Sequence, residues 1–175
     1  MVVCGSPAAR QAPALVELLQ GEGWDVCVVL TPDARKFVDA PGLAALTGHP
    51  VRVHYKNPGD PDVLPEAQAM VIAPATVNTI NKWAAGIADT LALGLIVEGL
   101  GKGLPIVAFP ITNSAMAAHP AFGESVARLR SWGVTVLYGE DVYRFSPPGV
   151  VDVGGSDLPW DLVVEALPQR PERAG

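Results

Sequence analysis

The chain is poor in the residues that build disulfide scaffolds and metal centres. It holds two cysteines, Cys4 and Cys27. Both fall in expected core strands, where a thiol behaves as a small buried hydrophobe, so two reduced cysteines in a reducing, cytoplasmic compartment are expected rather than a disulfide. Histidine is equally sparse: His49, His54 and His119 are scattered without metal-ligand spacing, and no metal is expected. Basic residues are in the minority, with a net charge of −6 and no basic stripe, which argues against nucleic acid as the main partner. No long hydrophobic run exists. The longest, residues 90–97, is interrupted by Gly94 and is too short to cross a bilayer, and the N-terminus lacks the charged region of a signal peptide.

What is present is a hydrophobic share of 49% in 175 residues, with a mean hydropathy of +0.28. That is enough for one domain with a real core, expected over residues 1–167, and it hints at buried subunit interfaces. The Pro-, Arg- and Glu-rich stretch 168–175 is expected to be a disordered tail. No internal repeat or second domain is visible.

Short apolar runs alternate with helical patterns. Strands are expected at 1–4, 26–30, 69–73, 105–109 and 134–137, with an edge strand at 51–55 where polar and apolar residues alternate. The rest of 41–65 reads as irregular, and 158–167 reads as a final helix. Strands without alternation, separated by helices, fit a parallel sheet covered on both faces, an α/β fold with right-handed crossovers.

The most informative stretch runs from Met70 to Asp89. It starts as a buried strand, breaks at Pro74, passes through the small and polar Ala75, Thr76, Asn78 and Thr79, and continues as a helix with Ile80, Trp83, Ala84 and Ile87 at helical spacing. A strand that turns into a helix this way places free backbone N–H groups at the carboxyl end of the sheet, where open α/β sheets bind ligands. An ordinary capped connection reads the same way. Three other strand ends also carry small or polar residues: Gly5-Ser6 after the first, Thr31-Pro32 after the second, and Pro110-Ile111-Thr112-Asn113 after the fourth. Convergence of all four on one edge would make a binding site. Phe37 reads either as core or as a wall beside a flat ligand.

Several of these segments resemble a known family. Pro74-Ala75-Thr76-Val77-Asn78-Thr79, followed by Lys82, Gly86, Ile87, Ala88 and Asp89, resembles the "PASANT" motif of the homo-oligomeric flavin-containing cysteine decarboxylases. These include the peptide-cysteine decarboxylases of lantibiotic biosynthesis and phosphopantothenoylcysteine decarboxylase. Gly5-Ser6-Pro7-Ala8-Ala9 resembles the family's Gly-Ser-Ile-Ala-Ala turn, Thr31 to Phe37 its Thr-x-x-Ala-x-x-Phe segment, and Pro110 to Met116 its "PxMNxxMW" motif. The resemblance implies a flavodoxin-like Rossmann fold that binds FMN at a subunit interface in a trimer or dodecamer. Gly5, Ser6, Thr31, Phe37, Pro74, Ala75, Thr76 and Asn78 would contact FMN. Asn78 and Asn113 would hold the carboxylate or amide of a small-molecule or peptide thiol substrate.

The departures bear on catalysis. The family's histidine, fourteen positions before the motif's proline, is Asp60 here. A carboxylate, with an ordinary pKa of about 4 against about 6.5 for imidazole, is a poor substitute facing an anionic substrate. His54, His119 or Asp60 would be the base. Thr112 and Ala117 replace the motif's methionine and tryptophan, and no cysteine comes after Cys27, which disfavours the reductive step of the phosphopantothenoylcysteine branch. Three readings are open: an FMN enzyme that oxidatively decarboxylates a cysteine-type thiol, a non-decarboxylating FMN-binding module that has lost its histidine, and a different flavin reaction with His119 as the acid–base group.

Overall fold

The computed structural model describes residues 1–139, 141–150 and 158–169. Five parallel strands form one sheet in the order β2-β1-β3-β4-β5. They are β1 (Val2–Val3), β2 (Val29–Leu30), β3 (Met70–Ala75), β4 (Ile106–Pro110) and β5 (Thr135–Val136). The helices are α1 (Ala12–Gly21), α2 (Ala40–Thr47), α3 (Val77–Ala84), α4 (Leu91–Gly101), α5 (Ser114–Ala117), α6 (Pro120–Ser131) and α7 (Asp161–Glu165). Short 3-10 turns at Pro7–Gln11 and Pro32–Lys36 come after the first two strands. This strand order is that of the flavodoxin-like doubly wound fold.

Successive strand residues point to opposite faces, and each face has its own core. Val2, Ile72 and Ala108 meet α3, α4 and α6 through Ile80, Trp83, Ile96, Phe122 and Leu129. Val3, Val71, Val107 and Phe109 meet α1, α2 and α7 through Leu15, Leu19, Leu43, Trp160 and Val163. All residues of β3 and β4 are buried, which explains why those strands show no polar alternation. Phe109 sits at the centre of the second core, with the rings of Trp160 and Tyr143 edge-on at 5.6 and 6.1 Å.

Several local expectations need correction. The third strand does not stop at Pro74 but runs to Ala75. The Ala73–Pro74 peptide is cis, and the register against β4 shifts between Ile72 and Ala75, where proline has no N–H to give to the ladder. The next helix ends at Ala84, ahead of Gly86, so Ile87 is exposed. Residues 51–55 make a single parallel bridge, Arg52 to Val29, rather than a strand. The region read as irregular contains α2, closed by Gly48 at a φ of 73°. The Gly-punctuated segment after Asp89 is α4, with Thr90 Oγ1 accepting the Leu93 N–H at 3.3 Å. Its Gly94 admits the Tyr55 phenol, whose oxygen would lie 2.0 Å from any Cβ there. The final helix is five residues long, and the expected tail lies outside the described residues from 170 onward. Both cysteines are free and both lie outside the strands, Cys4 fully buried just after β1 and Cys27 half-buried ahead of β2.

Replacing Phe109 by alanine removes a fully buried ring from the second core, so Phe109→Ala should cost about 3–5 kcal/mol. Urea unfolding should show a lower midpoint with an unchanged slope.

Candidate functional site

β1 lies between β2 and β3, and the chain leaves it toward one side of the sheet and leaves β3 toward the other. At such a switch point the loops at the carboxyl ends of neighbouring strands separate and open a crevice. A cleft of about 600 Å³ occupies this place. Residues from all four expected strand ends line it: Gly5 and Ser6 after β1, Thr31 to Asp33 after β2, Thr76 to Thr79 after β3, and Ile111 to Asn113 after β4. Its volume is within the range of small-molecule sites, about 300–1,000 Å³.

Main-chain hydrogen bonds tie these loops together. The Cys4 N–H donates to Pro74 O at 3.1 Å and the Ile111 N–H to Ala75 O at 3.0 Å, so the ends of β1 and β4 are both fixed to the end of β3. Thr31 does not cap its 3-10 turn through its side chain; its Oγ1 accepts the Gly5 N–H at 3.1 Å and joins the first two strand ends. Gly5 is needed for this closeness, since a Cβ would lie 2.7 Å from Asp33 Cβ and 2.8 Å from the Asp33 carbonyl carbon.

The cleft is rich in neutral hydrogen-bond donors. Ser6 Oγ is buried and has no partner among the described residues. Thr76 caps α3, with its Oγ1 accepting the Thr79 N–H at 3.3 Å, while the first N–H groups of that helix have no intrahelical acceptor and face the strand end. Asn113 caps α5 by accepting the Met116 N–H on Oδ1 at 2.9 Å, and this use of the oxygen leaves its NH2 to donate. The two charges in the wall are compensated: Lys82 pairs with Asp89 at 2.5 Å, and Asp33 with Lys36 at 2.5 Å. Residues 143–150 meet the fourth loop through a bridge between Ser146 and Asn113, with the Ser114 N–H donating to Ser146 O at 2.9 Å.

The expected site residues divide into two groups. Gly5, Ser6, Thr31, Thr76, Asn78 and Asn113 line the cleft. Pro74 and Ala75 do not; they are buried in β3, and their carbonyls serve the neighbouring strand ends. Phe37 is half-buried against the second core and also stands off the cleft. Of the candidate bases, His54 and Asp60 are exposed in the segment before β3, where Asp60 Oδ2 accepts the Asn57 N–H at 2.9 Å. His119 is exposed and caps α6, with its Nδ1 accepting the Ala121 N–H at 3.2 Å. None of the three lines the cleft of a single copy. Sequence reasoning missed Gln11, Asp33, Thr90, Tyr143 and Ser146 as lining residues. Asp33 could have been found from its place one residue beyond the Thr31-Pro32 turn, whereas Tyr143 and Ser146 reach the site from a stretch without periodicity.

Fold and cleft define a doubly wound α/β protein with a cleft of small-molecule size at its switch point. The Flavoprotein family model matches residues 1–170, and the chain belongs to that family, whose cofactor class is flavin. It is 33% identical over 144 residues to phosphopantothenoylcysteine decarboxylase of Mus musculus, covering 75% of this chain and 67% of that protein. It is 34% identical over 144 residues to the coenzyme A biosynthesis bifunctional protein CoaBC of Mycolicibacterium smegmatis, covering 77% of this chain and 33% of the relative. The chain thus spans about a third of that bifunctional protein's length. Among solved structures, the FMN-dependent cysteine decarboxylase SpaF superposes with a TM-score of 0.68 at 30% identity, covering 78% of this chain and 80% of the other.

Gly5→Ala should force the Asp33 turn outward at a cost of about 1–3 kcal/mol, because the clash is with backbone as well as side chain. The thermal midpoint of the variant against the parent measures this.

Proposed function

We propose that this chain binds FMN in the β1/β3 cleft and oxidatively decarboxylates a cysteine whose carboxylate is free, at a peptide C-terminus or on a small amide. The observation that carries the reading is the donor-rich, charge-compensated cleft at the switch point, with the buried Ser6 hydroxyl lacking a partner among the described residues. Ring carbonyls and a phosphate are all acceptors, so this donor set suits FMN. Ser6 and the N–H groups at the start of α3 would hold it, with Gly5, Thr31 and Thr76 beside them. When bound, FMN supplies the two-electron acceptor that oxidation of the thiol-bearing carbon requires.

The chain's own groups account for substrate binding. The Asn113 NH2, oriented by the α5 cap, and the Asn78 side chain on α3 would hold the substrate carboxylate. Amides suit this because they donate to an anion without titrating. The acid–base group is assigned to His54, His119 or Asp60 delivered by a second copy of the chain. The lining of one cleft contains no imidazole among the described residues, and the half-exposed Met116 gives its rim an apolar surface for such a neighbour. A trimer or dodecamer would place copies in this way. A cytoplasmic setting belongs to the same reading and suits the two free thiols.

Anaerobic incubation of the FMN-loaded protein with a peptide ending in cysteine should yield product lighter by carbon dioxide and two hydrogens, in proportion to flavin bleached. Intact peptide across C-terminal cysteine peptides and small cysteine amides would refute the reading. In addition, Asn113→Asp keeps the acceptor that caps α5 but replaces the donors with a negative charge. It should lower kcat/KM about 10- to 100-fold at unchanged thermal midpoint.

A further inference from the structure

Among the described residues, the cleft is lined by several hydrogen-bond donors and by a single carboxylate, that of Asp33. Asp33 follows β2 on the 3-10 turn Pro32–Lys36 and stands beside Gly5 and Ser6. Backbone fixes its place. A Cβ on Gly5 would lie 2.7 Å from Asp33 Cβ, so the acid rests directly on the turn that leaves β1. The Gly5 N–H, bonded to Thr31 Oγ1 at 3.1 Å, ties the same two turns together. Lys36 Nζ donates to Asp33 Oδ1 at 2.5 Å, which leaves Oδ2 to accept from a ligand. This ion pair is exposed on both sides, so it does little for the fold.

A carboxylate accepts hydrogen bonds and does not donate them. The Ser6 hydroxyl, the Asn113 amide and the first N–H groups of α3 can meet the acceptors of a ligand, whereas Asp33 calls for ligand donors at the β1/β2 end of the cleft. In dinucleotide-binding α/β folds, an acid that follows the second strand, near the glycine turn after the first, accepts from a ribose hydroxyl. Asp33 has the corresponding place in this sheet, where β1 and β2 are parallel neighbours.

A flavin has donors of this kind in the hydroxyl groups of its ribityl chain. Its flat ring suits the end of the cleft with larger apolar side chains, where Val77, Ile111 and Met116 come from the loops after β3 and β4. The β1/β2 end, with Gly5, Ser6, Thr31 and Asp33, is then left to the chain. We infer that Asp33 is a specificity-determining residue that accepts hydrogen bonds from the ribityl hydroxyls. The inference rests on the flavin reading above and adds to it that the cleft recognises the chain between ring and phosphate.

The test compares FMN with an analogue in which an unsubstituted pentyl chain carries the same ring and phosphate. Both are titrated against the parent and two variants by flavin fluorescence. The parent should bind FMN about tenfold more tightly than the analogue. Asp33→Ala should weaken FMN about tenfold and leave the analogue within about twofold. Asp33→Asn keeps an acceptor oxygen without the charge and should fall between. Equal weakening of both ligands overturns the inference, because the analogue keeps the ring N–H and lacks only the hydroxyls. So does tighter binding of both by Asp33→Ala, the result of a carboxylate that only repels the phosphate. A parent that binds the two ligands equally refutes this inference alone, whereas one that takes up neither refutes the flavin reading and this inference with it.

Discussion

The structure depends on where β3 ends. Its last residues, Pro74 and Ala75, give their carbonyls to the Cys4 and Ile111 N–H groups, so three adjacent strand ends are held at one level by two main-chain bonds. A backbone fixed this way leaves little freedom to the loops that leave it. Ser6, Thr76 and Asn113 each lie within a few residues of a strand end, and each is delivered to the same cleft. The motif's proline and alanine thus stand behind the cleft of a single copy and tie its strand ends together, whereas the threonine and asparagine that follow line it.

Above this constraint the cleft is built with neutral dipoles. Its two charges are paired along the wall, and the donors are hydroxyls, an amide and helix N–H groups. Fixed dipoles hold an acceptor-rich ligand without the desolvation cost that an unpaired lysine or arginine would bring. The same economy appears underneath, where a thiol and two threonine hydroxyls satisfy one another instead of being left to water.

Much of this was legible in the sequence because it rests on local chemistry. Buried parallel strands announce themselves as short apolar runs, and the small and polar residues after Cys4, Leu30, Ala73 and Phe109 marked the loops that meet. What was not legible depends on distant neighbours. Pro74 looks like a strand breaker until the neighbouring strand ends use the carbonyls beside it. Residues 51–55 alternate like a strand, yet the edge of β2 offers partners to one of them. The glycines of α4 read as breaks because nothing local reveals the Tyr55 phenol against Gly94. Phe37 fits core and ligand wall alike in sequence, and in the fold it rests against the α1–α2 side of the sheet. The candidate bases are the hardest case: His54, Asp60 and His119 are exposed on one copy, and nothing local to any of them ties it to the cleft.

The most direct test is a crystal structure of the protein grown with FMN. Flavin density is expected in the β1/β3 cleft, with Ser6 Oγ engaged and His54, His119 or Asp60 of a neighbouring copy at the open side. FMN bound elsewhere, or a cleft that stays free of flavin at saturating concentration, would contradict it.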